Sequence, residues 1–388
     1  MTLSASRAYD VIIAGGGIVG AACALAFSQE KLRVALVERD LLGGGATGAG
    51  MGHIVVMDDS EAQFALTRRS QQLWHKLSRS LPRGAEFETR GTIWVAADED
   101  ELAEARRKSA YLRAREVPSQ ILSPSELAAT EPNLRPHLAG GMLVPEDAVV
   151  YPPVVALFLA KQAQALGSDV IIGRSIVHFA DGEARLDDGK SLRAPRLVNA
   201  MGADATGCTV DLPIKKRKGH LAITDRYPGF VNHQLVELGY LKSAHSISTD
   251  SVAFNVQPRL TGQILIGSSR QYGNELSEIN HEILSAMLQR ASQYMPAIGK
   301  LNVIRVWTGF RAATPDKLPL IGPSNEDATL WLATGHEGLG ITTALATAEV
   351  LNDTFAGRVP SIPLEPYLPA RFNTRGGHET ILHHQEMS

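Results

Sequence analysis

Apolar residues in this chain gather into short unbroken runs and helical stripes separated by glycine-rich turns. Val11-Ile12-Ile13-Ala14 is uninterrupted, as expected of a strand covered on both faces. Ile18 to about Lys31, apolar all round over Ala21 to Phe27, predicts a buried helix, and Arg33 to Glu38 predicts a second strand like the first. Ser60 to Leu81 is amphipathic, with Phe64, Leu66, Leu73, Trp74 and Leu77 on its apolar face and Ser60 and Gln63 spaced as a capping box. A strand at Thr92 to Ala96, a charged surface helix at Glu99 to Arg115 and a short helix at Ser123 to Thr130, stopped before Pro132, come next. Tyr151 to Leu166 reads as a buried helix, and short strands follow at Asp169 to Ile172, Ser175 to Phe179 and Glu183 to Leu186. Leu197 to Ala200 is a core strand ending in a turn at Gly202. From Gly219 to Ser268 strand succeeds strand: His220 to Thr224, Val252 to Gln257, Gln263 to Ile266. His281 to Met295 predicts a helix, Leu301 to Trp307 and Leu330 to Thr334 strands, and Gly338 to Phe355 a last helix. No internal repeat is present, and the polar stretch from Phe372 to Ser388 is expected to fray.

At the first strand-to-helix turn, Gly15, Gly17 and Gly20 fill the pattern G-x-G-x-x-G, and Glu38 ends the next strand eighteen residues after Gly20. Strand, turn, helix, strand and acid at this spacing make a dinucleotide-binding βαβ unit, with a glycine-rich turn of some other α/β fold as the alternative. The helix N-terminus offers free N–H groups to a pyrophosphate, and Glu38 can accept from an adenosine ribose. No third strand follows Glu38; a glycine-rich loop from Gly43 to His53 stands there instead. Such a loop brings backbone close to something flat or charged.

The chain of 388 residues is long enough for two domains or one composite domain. Its net charge of −3 gives neither a nucleic-acid footprint nor a polybasic membrane patch. The uncharged stretch Val11 to Phe27 carries four glycines and belongs to the βαβ unit, so no transmembrane segment is expected. The N-terminus lacks signal-peptide architecture, and the two cysteines, Cys23 and Cys208, fit a reducing compartment. A cytoplasmic location follows as the expectation, with peripheral attachment to an inner membrane as a variant. No C-x-x-C or paired-histidine spacing suggests a metal.

Six motifs in order extend the picture. They are the βαβ unit ending at Glu38, the Gly43 to Gly50 loop, Leu197-Val198-Asn199-Ala200-Met201-Gly202-Ala203, Pro213 to His220, Gly309-Phe310-Arg311-Ala312-Ala313-Thr314-Pro315-Asp316 with Pro319-Leu320-Ile321-Gly322, and Gly335-His336-Glu337-Gly338-Leu339-Gly340-Ile341-Thr342. In these the chain resembles the glycine oxidase and D-amino-acid oxidase/dehydrogenase flavoproteins from about Asp10 to Tyr367. The resemblance implies an α/β fold with an α+β insertion: a Rossmann-type FAD-binding domain at 1–85, 148–215 and 315–372, interleaved with a β-rich substrate-binding domain at 86–147 and 216–314, and a flexible tail at 373–388. It also implies FAD rather than NAD, and the glycine-rich turns at 43–50, 202 and 335–340 are suited to surround a long buried cofactor. Relatives that link flavin covalently carry a cysteine just before the Thr-Pro-Asp segment; Thr308, Gly309 and Phe310 stand there, so the FAD is expected to be non-covalent. The residues expected at FAD are Gly15, Gly17, Ile18, Val19, Gly20, Glu38, Arg39, Gly45, Ala46, Thr47, Gly50, Met51, Gly52, Ala200, Gly202, Gly309, Arg311, Gly335, His336, Gly338, Leu339, Gly340, Ile341 and Thr342.

The implied reaction oxidises the carbon–nitrogen bond of a small amino acid by hydride transfer to flavin N5. Arg311 matches the arginine that clamps the substrate carboxylate in the family, a task suited to a planar bidentate donor; a structural ion pair is its alternative. His53 and His336 are placed beside the flavin or substrate, and Tyr240 is expected to cap the carboxylate, with Tyr272 as its rival. Lys215-Lys216-Arg217-Lys218 reads as a solvated basic turn. The Gly50 to Asp59 segment and the Lys-Arg-Lys-Gly-His entry most resemble bacterial D-hydroxyproline dehydrogenases, which implies D-hydroxyproline or D-proline as substrate. Another amino acid, basic or of L configuration, and a flavin-binding subunit of a larger amine dehydrogenase complex are the alternatives. The electron acceptor is expected to be a quinone, dye-like molecule or protein, or else oxygen, and a homo-oligomer is left open.

Overall fold

The computed structural model describes residues 9–239 and 250–372. The strands Arg196–Asn199, Val11–Ala14 and Val34–Glu38 build the centre of a six-stranded sheet ordered Leu320–Pro323, Leu330–Thr334, Arg196–Asn199, Val11–Ala14, Val34–Glu38, Asp169–Ile172. Neighbours in it run parallel, except that Leu320–Pro323 is antiparallel to Leu330–Thr334. A parallel sheet must be covered on both faces, which is why Val11 to Ala14 carries no polar residue. Val11 and Ile13 face the helices Ile18–Gln29, Pro152–Ala165 and Gly340–Phe355, while Ile12 and Ala14 face a small antiparallel sheet of Ile176–Ala180, Glu183–Leu186 and Ser191–Arg193. The strand missing after Glu38 is supplied from a distance: Asp169–Ile172 pairs with Val34–Glu38 in register Ala35↔Asp169.

A second sheet has eight strands, ordered Val303–Ala313, Lys215–Thr224, Ile264–Arg270, Ser251–Pro258, Gln234–Glu237, Thr92–Ala96, Gly140–Val144, Gln120–Leu122. Its pairs are antiparallel apart from Gln234–Glu237 on Thr92–Ala96. The helix His281–Tyr294 covers one face, where Phe254 stacks on Tyr294 with ring centroids 4.6 Å apart. The opposite face looks toward the first sheet.

Several boundaries differ from the sequence expectation. The largest correction is the basic run. Lys215 to Lys218 is no solvated turn but the first part of the ten-residue strand Lys215–Thr224, and Arg217 and Lys218 are 5% and 0% exposed. Lys218 Nζ donates to Glu278 O at 2.5 Å and Arg217 is ion-paired with Glu337. Burial of such residues needs partners of this kind, and here both come from distant segments that charge patterning does not reveal. The neighbouring strand is also longer than expected, running to Ala313 and carrying Arg311 opposite Arg217. The last helix starts at Gly340, with Leu339 as its N-cap. Ser60 caps its helix by accepting from Gln63 N, whereas a full reciprocal capping box joins Ser123 and Glu126. Among the described residues no helix is long and apolar enough to cross a membrane.

Candidate active site

A cavity of about 1110 Å³ opens between the carboxyl ends of the parallel strands and the uncovered face of the eight-stranded sheet. Ligands of open α/β sheets bind at that end of the strands. Gly15 makes the turn there with φ +103°, and a Cβ on it would stand 2.6 Å from Ala200 O. Gly20 sits one helical turn on, where a Cβ would meet Gly15 O at 1.9 Å, so helix and strand close up only without a side chain. The helix Ile18–Gln29 has no side-chain cap and no acid in its first turn, and Gly17, Ile18 and Val19 face the cavity. An uncapped N-terminus of this kind fits a pyrophosphate. Glu38 holds the rim: Oε2 accepts from Gly16 N at 2.6 Å and Oε1 from Asp40 N at 2.8 Å, leaving each oxygen a further lone pair.

The residues expected at a dinucleotide come together. Gly15, Gly17, Ile18, Val19, Glu38, Arg39, residues 45–47 and 50–52, Ala200, Gly202, Gly309, Arg311, Gly335, His336 and residues 338–341 all line this one cavity. Gly20 and Thr342 stand behind its wall. Thr342 Oγ1 donates to His53 O at 2.8 Å and so holds the backbone of His53 in place.

The candidate reactive residues are distributed unevenly. Arg311 reaches over Gly219, where a Cβ would lie 2.8 Å from Nη1, and its Nη1 donates to Ser269 O at 2.9 Å. His53 Nδ1 lies 2.6 Å from Gln234 Nε2; the amide donates, so the ring proton sits on Nε2. Burial lowers the His53 pKa to about 3, so the ring is neutral at physiological pH. His336 also lines the cavity, but its Nε2 is 3.0 Å from Thr347 Oγ1 on the last helix, and burial lowers its pKa to about 4. Tyr240 lies outside the described residues. Tyr272 accepts from Arg217 Nη1 at 3.1 Å.

Other cavity residues escaped the sequence reading: Trp94, Arg217, Gln234, Asn255, Ser268, Arg270 and Glu337. The buried atoms His53 Nε2, Gln234 Oε1, Asn255 Oδ1 and Ser268 Oγ have no hydrogen-bond partner. Polar residues inside otherwise apolar strands, as in Phe254-Asn255-Val256, were the available signal.

The model of the family described as FAD dependent oxidoreductase matches residues 10–354. The chain belongs to this family. It is therefore an FAD-dependent oxidoreductase, and the uncapped helix and the glycine cradle of its cavity fit that cofactor. Among similar members of the FAD dependent oxidoreductases, hydrogen cyanide synthase subunit HcnC of Pseudomonas protegens is 27% identical over 94% of this chain and 97% of its own. Glycine oxidase of Geobacillus kaustophilus is 26% identical, covering 92% of this chain and 96% of its own. A crystal structure of the Geobacillus glycine oxidase superposes with a TM-score of 0.84 at 24% identity, over 94% of this chain and 99% of that one.

Proposed function

We propose that this FAD-dependent oxidoreductase oxidises the carbon–nitrogen bond of a small amino acid, D-hydroxyproline or D-proline. The observation that carries the reading is Arg311: a guanidinium on the substrate-side wall of the same cavity that the dinucleotide turn opens into. A fork of this kind binds a carboxylate through two parallel hydrogen bonds and fixes its rotation. One similar protein is a glycine oxidase, whose name gives a small amino acid as substrate. When bound, FAD supplies a hydride acceptor. With that acceptor in place, oxidation of the neutral amine would remove its α-hydrogen as hydride and leave, through the nitrogen lone pair, the C=N bond of an iminium product. In this reading residues 17–19 hold the pyrophosphate, Glu38 the adenosine ribose, and residues 50–52 and 338–341 the flavin end. Arg311 holds and orients the carboxylate.

The same reading divides the chain into an FAD-binding domain, 1–85, 148–215 and 315–372, and a substrate-binding domain, 86–147 and 216–314. Sheet membership supports that division, because each sheet draws its strands from one of the two sets. Two free thiols, Cys23 and Cys208, support a reducing, cytoplasmic setting. The FAD is non-covalent, and its electrons pass mainly to a quinone, dye or protein. A second reading, a flavin subunit acting only within a complex, is favoured by one observation: a similar protein is named as a synthase subunit.

The deciding experiment adds amino acids one at a time to the yellow protein without oxygen, follows bleaching of the flavin, and then readmits air. Bleaching by D-hydroxyproline or D-proline, with slow recovery in air and little hydrogen peroxide, is expected. Peroxide formed at the rate of substrate loss would make the protein an oxidase. A flavin that no amino acid bleaches would sink the amino-acid reading and leave the subunit reading.

A further inference from the structure

Four polar atoms line the substrate-side wall without a partner: His53 Nε2, Gln234 Oε1, Asn255 Oδ1 and Ser268 Oγ. An unsatisfied buried polar group is destabilising, because it gives up its hydrogen bonds to water and gains none in return. Gln234, Asn255 and Ser268 are 1%, 9% and 4% exposed, so bulk water does not relieve them. They come from three adjacent strands, Gln234–Glu237, Ser251–Pro258 and Ile264–Arg270, and from the end of the glycine-rich loop. Four separate segments delivering unpartnered groups to one wall is the arrangement expected where a ligand completes the hydrogen bonds.

We infer that His53, Gln234, Asn255 and Ser268 form a subsite for a neutral hydroxyl on the substrate, and that this subsite selects a hydroxylated amino acid over its plain analogue. The inference deepens the amino-acid reading above and rests on it. The chemistry of the donor set selects the group. Every member is uncharged, His53 included, so neither a second carboxylate nor an ammonium finds a counter-charge in it. Two amide oxygens accept, the His53 N–H donates, and Ser268 does either. A hydroxyl both donates and accepts, and can meet an amide oxygen and the imidazole together. A plain ring offers C–H groups and leaves all four atoms unpaired.

The spacing agrees. Arg311 starts on the edge strand Val303–Ala313, crosses Lys215–Thr224 above Gly219, and ends against Ser269. Asn255 and Gln234 lie on the next two strands beyond Ser269, at about 4.8 Å per strand. Asn255 stands opposite Gly267, two residues along the strand from Ser269, and Gln234 lies a further strand across and two residues further along, so their backbones are about 8 Å and about 16 Å from that of Ser269. The nearer members, Ser268 and Asn255, suit a ring-sized molecule with its carboxylate on Arg311 and a hydroxyl at the other end. Arg270 also faces this cavity and would favour a dicarboxylate, which makes an acidic amino acid the necessary control.

The test uses purified FAD-loaded protein and compares kcat/KM for hydroxy-D-proline, D-proline and D-glutamate. The native protein should prefer the hydroxylated ring to the plain one by at least tenfold. Asn255→Leu and Gln234→Leu, which keep the volume and remove the acceptors, should each lower that preference at least tenfold, with FAD content and flavin absorption unchanged. Because these variants lie on different strands, a folding failure in one leaves the other to decide, and retained FAD reports folding in both. A native preference near one, a preference that neither substitution lowers, or D-glutamate as the best substrate would overturn the subsite. So would a shifted flavin spectrum or weakened FAD binding with the preference intact, which would assign these groups to the flavin. Absence of bleaching by all three would instead remove the amino-acid reading itself.

Discussion

Arg311 lies over a neighbour that has no side chain. Gly219 lies under the guanidinium, and a Cβ there would stand 2.8–3.0 Å from Nη1, Nη2 and Cζ. The colliding atoms are the end of a flexible side chain, so Gly219→Ala should fold and displace the fork rather than unfold the sheet. Its expected effect is a kcat/KM reduced at least tenfold at unchanged FAD content, because small misplacements are costly in near-attack geometry. Normal turnover would mean that Arg311 tolerates the shift and does not orient substrate. Arg311→Lys tests the fork itself. A lysine supplies a point charge without the second parallel bond, and the loss in kcat/KM should be about 3 kcal/mol, roughly a hundredfold. Steady-state kinetics on protein with full FAD would check it; near-normal turnover would leave the carboxylate anchor unassigned. Arg311 was legible in the sequence because a dense motif surrounds it. Gln234 and Asn255 were not, since each is a polar residue in a strand and only the fold reveals which face meets a cavity.

At the scale of elements, the βαβ unit was legible and the second sheet only in pieces. Val11–Ala14 and Val34–Glu38 sit in a parallel sheet whose double coverage writes an unbroken apolar run into the sequence. The order of the eight-stranded sheet leaves no such mark, because Gln234–Glu237 joins Thr92–Ala96 across a long stretch of chain. Lys215–Thr224 was half read for a related reason: Arg217 is ion-paired with Glu337 and Lys218 donates to the backbone carbonyl of Glu278, both of which lie far away in sequence. The βαβ unit carries its own test. Glu38 accepts two backbone N–H groups at the turn and is the residue proposed to hold the adenosine ribose. Glu38→Ala should weaken FAD binding by at least tenfold, since a hydrogen bond to a charged group contributes about 1.5–3 kcal/mol. The ratio of kcat/KM between substrates should stay the same once FAD is saturating. An unchanged FAD affinity by titration would show that the turn neither needs the carboxylate nor uses it for the cofactor.

For the whole molecule, buried titratable groups near the cavity set how stability varies with pH. Burial lowers His53 to about 3 and His220 and His336 to about 4, all from an ordinary 6.5, with Lys218 and Arg311 adding to the effect at His220. Burial raises Asp147 from 3.8 to about 7. Between about pH 4 and 6.5 the unfolded chain therefore binds up to three more protons on these histidines than the folded protein does. Over much of that range the folded protein holds one proton, on Asp147, that the unfolded chain lacks. The difference, three minus one, leaves the unfolded state with the greater proton uptake, so stability rises with pH across this range. Above about pH 6.5 the histidines are neutral in both states and only Asp147 remains. Its carboxyl loses the proton that burial favours, so its contribution now falls as pH rises through about 7. The Tm of the FAD-bound protein should climb from about pH 4.5 to 6.5 and then level or dip by about pH 8. Asp147→Asn keeps a neutral side chain at every pH and should remove the dip while leaving the climb. A Tm that is flat or falling between about pH 4.5 and 6.5 would mean that these imidazoles are charged in the folded protein, which would remove the neutrality of His53 that the hydroxyl subsite uses.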